Sequence, residues 1–384
     1  MKKKILFITT GITKDNNKVA ISGGDIRLFE IMRHIYQQNE YDVHLLTNKN
    51  GKELTKKLKV PYTKLIAINY SVSSSFSSNF YITLLTIIKS RYMNSQYDIV
   101  YSSCEHIYNV LPALRVKLAQ KSKWIAAYHW VEEYPWLDTR GNTPAFVRYS
   151  YWLNRVISGL LIKYFSDEIL AVSKVTKNKL ICTKHIPSRK IRVVYCGVDY
   201  AKINLIPVQK KNYDAVFIKR LNYGKGVLDL LSIWKEVCKK RHGATLVIIG
   251  DGNKEVIDKI NKFITDNNLD SNIILLGAIY DFNLKFRIIK SAKLFVLPSH
   301  EENWAIVIGE AMAAQVPVLA YDLKEIVPIW RDNVEWIPFA NTNIFASKIL
   351  QYLNNEGRRH RLAEKAYNFV KKYDWNEIVK DEIK

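Results

Sequence analysis

The chain has 384 residues, 58 Lys and Arg against 36 Asp and Glu, and four cysteines. That length exceeds one ordinary hydrophobic core and suits two domains of roughly 150 to 200 residues, and no apolar run reaches the roughly 18 residues of a spanning helix. Cys104, Cys182, Cys196 and Cys238 lack the close paired spacing of a zinc cluster, which points to free thiols in a reducing cytoplasm, and the net charge of +22 comes with no nucleic-acid-binding motif.

The first element, KILFITT (Lys4–Thr10), is an apolar run of strand length. TKDNNK follows it, where a leader would carry a small-residue cleavage site, so it reads as a strand. Gly23 and Gly24 then open a stretch of helical apolar spacing, DIRLFEIMRHI. DVHLLT, DIVYSS and WIAAYH are further strands alternating with helical stretches, and His129 ends the last of them. SVSSSFSSN (Ser71–Asn79) reads as a mobile loop. Tyr200–Tyr213, polar and bearing a proline, reads as a linker. Beyond it DAVFI, ATLVIIG, NIILLG and KLFVLP repeat the strand–helix alternation. The fold class is therefore α/β, with two doubly wound parallel sheets and ligand bound at the carboxyl ends of their strands.

Two strand-end loops of the second half carry chemistry. After DAVFI, the loop holding Arg220, Gly224, Lys225 and Gly226 puts cations where they can neutralise a diphosphate and stabilise its charge as a leaving group. After KLFVLP, Glu302 falls in a loop and Glu310 eight positions on inside a helix. Carboxylates accept charge-assisted hydrogen bonds from hydroxyls, and the free N–H groups of a helix's first turn hold phosphate oxygens. A sugar nucleotide presents both chemistries. Taken singly, each glutamate fits equally well as a cap or a solvated helix residue, each cation as a surface charge, and His185, His242 and His300 as loop residues.

The order of these segments resembles the family 4 retaining glycosyltransferases of GT-B fold. The resemblance runs from ISGGDIRLFEIMRHI through WIAAYHWVEEYP, SDEILAVSK, IRVVYCGVD, the Arg220/Lys225 loop, LVIIGDGN and NIILLGAI to the paired glutamates. It implies two Rossmann-like domains facing across a cleft, residues 1–200 on the acceptor side and 201–365 on the nucleotide-sugar side, with the final segment 366–384 returning to the first. It implies that Gly23 and Gly24 let the first loop approach the donor diphosphate and that His129 hydrogen-bonds a hydroxyl of the reacting sugar. Arg220 and Lys225 clamp the diphosphate, Glu302 faces the sugar hydroxyls, Glu310 binds the ribose, and Asn303, Trp304 and Ala305 complete the donor contacts. Four positions depart from the family pattern. Asn303 and Ala305 flank Trp304 where glycines are usual, and Gln315 and Lys219 each replace a common glycine.

The implied reaction is front-face transfer from a nucleoside diphosphate sugar with retention, the leaving diphosphate taking the acceptor's proton. Arg220 and Lys225 supply countercharge, and no Asp-x-Asp pair is present, so no metal or other cofactor is expected. Residues 1–200 carry 30 Lys and Arg against 14 Asp and Glu, net +16, and residues 201–384 carry 28 against 22, net +6. The basic half is the acceptor half. TKKLKVPYTK (Thr55–Lys64) and FYITLLTIIKSRYM (Phe80–Met93) set cations beside apolar residues, as an anionic membrane surface requires. A glycan or lipid-linked acceptor at the cytoplasmic membrane face follows as the expectation. The alternatives are a sugar-nucleotide epimerase of similar fold, a basic nucleic-acid-binding protein and a catalytically idle partner-binding relative. A dinucleotide oxidoreductase fits less well, because GGDIRLF lacks the G-x-G-x-x-G spacing.

Overall fold

Strands buried on both faces need apolar side chains at every position, so they read as continuous apolar runs with no alternation. In the computed structural model, which describes residues 2–15, 18–19, 22–72, 76–91, 95–131 and 145–383, these runs form two parallel sheets. They belong to two units, Met1–Cys196 with Ile378–Lys384, and Gly197–Glu377.

The first unit has β1 (Lys3–Thr9), β2 (Tyr41–Asn48), β3 (Lys64–Ile68), β4 (Ile99–Ser102), β5 (Lys123–Tyr128), β6 (Glu168–Ala171) and β7 (Ile191–Val193). Their order is β3-β2-β1-β4-β5-β6-β7, all parallel, with Phe7 opposite Leu45 and Tyr101. The helices are α1 (Gly23–Gln38), α2 (Lys49–Lys57), α3 (Phe76–Arg91), α4 (Ile107–Gln120), α5 (Ala145–Phe165) and α6 (Lys174–Lys184). Right-handed crossovers send α1 and α2 to one face and α3 to α6 to the other. One core accordingly gathers Leu6, Ile8 and Val100 with Ile82 of α3, Val110 of α4, Ile162 of α5 and Leu180 of α6. The chain leaves β1 and β4 in opposite directions, which makes their carboxyl ends a topological switch point.

The second unit repeats the plan with β8 (Tyr213–Ile218), β9 (Leu246–Ile249), β10 (Ile273–Gly277), β11 (Ala292–Leu297), β12 (Val318–Tyr321) and β13 (Glu335–Ile337), ordered β10-β9-β8-β11-β12-β13. Its longer helices are α7 (Val227–Lys240), α8 (Lys254–Asp266), α9 (Phe282–Lys290), α10 (Ile306–Ala313), α11 (Thr342–Leu353) and α12 (Glu356–Val370). Asn253, Asp281, Asn341 and Asn355 cap α8, α9, α11 and α12 by accepting from first-turn N–H groups. Here the switch point lies between β8 and β11.

Three expectations are corrected. Helix α3 starts at Phe76, inside the stretch read as a mobile loop; residues 73–75 of that stretch, like 92–93 of the amphipathic run and 132–135 after His129, lie outside the described residues. The boundary falls at Gly197, ahead of the proposed linker, and residues 366–377 belong to the second unit. Both shifts have one cause. Val198 N–H donates to Tyr373 O at 2.8 Å and Trp375 N–H to Val198 O at 3.2 Å, and a side chain at Gly197 would stand 2.3 Å from the Trp375 ring. Tyr373 also packs edge-on against Trp304 and Trp330. No helix among the described residues is long and apolar enough to cross a membrane.

The returning tail is locked by a buried charge pair. The Arg27 guanidinium donates to both Glu382 oxygens at 2.9 and 2.7 Å, and Tyr101 Oη donates to the same carboxylate at 2.6 Å. Both charges are fully buried, at 1% and 0% exposure. Removing one partner strands the other charge, so Glu382→Ala should cost about 3–5 kcal/mol. A urea midpoint unchanged from wild type would show the pair to be energetically idle.

Candidate active site

Each unit builds a polar cluster at its own switch point. In the second, Asn222 Oδ1 accepts from Lys225 N at 3.0 Å and winds the loop after β8 into a short 3-10 turn ending at Gly226, whose φ is +67°. A Cβ at Gly226 would stand 1.7 Å from the Pro298 carbonyl oxygen, so only glycine allows this approach to the loop after β11. Gly224 O then accepts from His300 N and Glu301 N at 3.0 and 3.2 Å, and Lys225 Nζ donates to Glu301 O at 2.7 Å.

Glu302 lies under this junction and is 6% exposed. Its Oε1 is 2.7 Å from Lys219 Nζ and 3.6 Å from Lys225 Nζ. Burial alone pushes its carboxyl upward, but the two ammonium groups outweigh that and hold it below the usual carboxylate range. Burial likewise lowers Lys219, against the pull of Glu302. Lys219 was legible as a departure from glycine, but its partner was not. Arg220 is exposed and has no ion pair among the described residues, so its guanidinium can take an anion from solvent.

Glu310 sits in α10 and pairs with Lys285 of α9 at 2.8 Å, a partner the sequence did not reveal. Trp304, expected at the donor, is 3% exposed, with its ring centred 5.4 Å from Trp330 and 5.2 Å from Tyr373. Its indole builds the core, and even its carbonyl accepts from Trp330 Nε1. Asn303 is half-buried beside it. Ala305 caps α10 at φ +53° and Gln315 follows the helix at φ +58°. These are two of the positions where the family carries glycine, and a side chain there costs roughly 1–2 kcal/mol. His300 bonds Asp229 Oδ2 at 2.9 Å, as does Tyr321 Oη, and the Asp229 hydrogen bond raises the imidazole above its ordinary range.

In the first unit, Ser22 and Asp25 form a reciprocal capping box that starts α1 at Gly23. A Cβ at Gly24 would lie 3.6 Å from the His129 ring, an ordinary contact, so the glycine leaves room beside the imidazole that packing does not demand. His129 donates through Nε2 to Ser103 O at 2.9 Å, and its backbone N–H donates to Glu105 Oε2 at 3.0 Å. Burial lowers its titration range despite Glu105 nearby, so the imidazole is neutral at neutral pH. Glu105 is itself clamped by Arg155 of α5 at 3.0 Å. Burial first and Arg155 second push the adjacent His106 down to about 3. Glu105, His106 and Arg155 were not anticipated, because only folding brings Arg155 to the end of β4. Among the described residues no three His, Cys, Asp or Glu side chains form a metal-holding group.

Two Rossmann-like parallel sheets, each with a polar switch point, define the GT-B class. The sequence matches the profile described as Glycosyltransferase Family 4 over residues 21–202 and that described as Glycosyl transferases group 1 over residues 202–369. The chain belongs to this glycosyltransferase family. It is 29% identical over 239 residues to an uncharacterized glycosyltransferase of Methanocaldococcus jannaschii, covering 58% of this chain and 60% of that protein. It is 32% identical over 166 residues to the poly(ribitol-phosphate) alpha-N-acetylglucosaminyltransferase of Staphylococcus aureus strain COL, covering 42% of this chain and 33% of that protein. The match therefore spans less than two thirds of either relative. The fold is shared with Anabaena HepE, solved with UDP and glucose, at a TM-score of 0.75 and 16% identity over 99% of this chain and 98% of that one.

Lys219→Met should leave the buried Glu302 with Lys225, at 3.6 Å, as its remaining ion-pair partner among the described residues. Burial then raises the carboxyl, so the stability lost should grow as pH rises from about 5 to about 8, reaching roughly 3 kcal/mol. In the wild type the lowered carboxyl gives the opposite sign, a contribution present at neutral pH and lost on acidification through its depressed range. Urea melts at both pH values measure this, and equal losses would remove the countercharge role.

Proposed function

We propose that this chain is a retaining glycosyltransferase that moves a glycosyl group from a nucleoside diphosphate sugar to a hydroxyl of a glycan or lipid-linked acceptor. The observation that carries the reading is the junction at the second unit's switch point, where Lys225, on the loop that also carries the exposed Arg220, meets Glu301 and Glu302 on the neighbouring loop. Arg220 would grip the diphosphate with its planar fork and Lys225 with its ammonium, and both would stabilise the charge that grows as the phosphate leaves. With these cations as countercharge the reaction needs no metal. Glu302, ionised and already paired with Lys219, would orient the sugar hydroxyls and is too well neutralised to serve as the nucleophile of a double displacement.

The step would then be a front-face substitution. The bond from the anomeric carbon to the phosphate oxygen breaks, the bond to the acceptor oxygen forms on the same face, and the acceptor's proton passes to the leaving diphosphate. His129, neutral and holding its Nε2 proton toward Ser103 O, would offer hydrogen bonding and not acid catalysis. Gly23 and Gly24 would let ligand approach the start of α1, and Glu310 would meet the ribose beside Lys285. The UDP and glucose of HepE favour a UDP-sugar as the first donor to test. The named acceptor of the staphylococcal relative, a polyol phosphate, and the +16 charge of residues 1–200 favour an acceptor that is anionic or held at an anionic membrane, on the cytoplasmic side where thiols stay free.

Screening UDP-, GDP-, ADP- and dTDP-sugars by thermal shift tests the donor. A sugar present at about a hundred times its Kd should add about 2.7 kcal/mol of apparent stability. Arg220→Ala and Lys225→Ala should each lower turnover at least about a hundredfold, whereas Cys238→Ala should not; full activity in both site variants refutes the clamp. The anomeric coupling of the product reports retention, and inversion of the sugar with donor alone would favour the epimerase.

A further inference from the structure

We propose that the outward face of α5, with α3 and α4 beside it, is an in-plane docking surface for an anionic lipid bilayer. Helix α5 is 21 residues long, about 30 Å, and one side of it exposes Phe146, Tyr149, Leu153, Ile157, Leu160 and Tyr164. Their spacing of three or four residues is that of a single helical stripe. Phe146 is 75% and Tyr164 67% exposed, values far from those of a core. Helix α3, on the same side of the sheet, exposes Phe80, Tyr81, Leu84 and Ile88, and Leu118 of α4 between them is 63% exposed. Exposed apolar surface on this scale marks a site of association.

Charge identifies the occupant. Helices α3, α4 and α5 hold two, two and three Lys or Arg and not one Asp or Glu. Arg155 turns inward to Glu105 and Lys117 pairs with Asp167, while Lys89 and Lys121 are exposed at helix ends. A second copy would dock through the same patch on both partners and set cations against cations. An anionic leaflet takes both the cations and the apolar stripe, and tyrosines suit the headgroup level. No described helix could cross the bilayer, so α5 would lie in its plane.

The surface deepens the proposed membrane-linked acceptor and rests on that reading for its purpose. Thr55–Lys64 takes no part, because α2 packs on the opposite face of the sheet; α3 does.

The test is flotation of the full chain with phosphatidylcholine vesicles and with phosphatidylcholine–phosphatidylglycerol vesicles. Wild type should float with the mixed vesicles and little with the neutral ones. Leu153→Glu combined with Leu160→Glu should lower partitioning at least about tenfold, with the urea midpoint and the nucleotide-sugar thermal shift unchanged. Equal flotation of variant and wild type, or equal recovery with both lipids, overturns the surface. A wild-type dimer in light scattering that the variant dissolves also overturns it, in favour of a protein interface. Loss of flotation in a chain that binds no nucleotide sugar upholds the surface and sinks the enzymatic reading instead.

Discussion

Gly226 sets how the second unit's two functional loops meet, since its Cα lies so close to the Pro298 carbonyl that no side chain could stand there. A parallel sheet covered on both faces confines ligand chemistry to its carboxyl edge, and the switch point is where that edge opens. With Gly226 in place, Lys225 reaches the Glu301 carbonyl, Gly224 receives two backbone N–H groups, and Glu302 falls beneath both lysines. The cations are thus carried by one strand's loop and the acids by its neighbour's. The geometry of the cluster follows from strand order before any side chain is considered.

The two units answer the same electrostatic problem in the same place. Glu302 follows β11 and Glu105 follows β4, each the first strand beyond its switch point. Both carboxylates are buried, and burial raises both, yet each ends below its usual range because cations sit against it. The partners differ. Glu302 has two lysines, whereas Glu105 has Arg155 and the His129 backbone N–H. An ionised buried acid is costly unless paired, so each is a fixed negative charge that orders its neighbours. In the first unit it fixes where His129 stands, and in the second it ties Lys219 and Lys225 together.

The strands were readable because a strand with two covered faces has no polar positions to blur it, and Gly226 and Lys225 were readable because a glycine–cation loop after such a strand has few other uses. Contacts between distant segments were not. Lys219 is visible in the sequence only as a missing glycine, and nothing nearby says that its ammonium meets Glu302, 83 positions on. Trp304 misled because an indole in a loop has the same sequence signature whether it faces a ligand or, as here, Trp330 and Tyr373. Residues 366–377 carry a helical pattern that fits either unit, and the choice is made by Trp375 against Gly197. Helix α5 is apolar nearly all round, which reads as a core helix; only the fold distinguishes Ile162, buried, from Leu160 beside it, half exposed.

That helix joins the two halves of the functional reading in the first unit. Its inward side carries Arg155, which holds Glu105, which in turn accepts the His129 backbone N–H. Its outward side carries the apolar stripe. A helix with its side chains is about 10–12 Å across, so a bilayer taken up by one face lies about that far from the groups held by the other. An acceptor whose lipid stays in the membrane would then need only a headgroup of that reach to stand beside His129. The rigidity of α5 would convert depth of insertion into position of the acceptor, which explains why apolar residues would be spent on the solvent side of the same helix that orders the site.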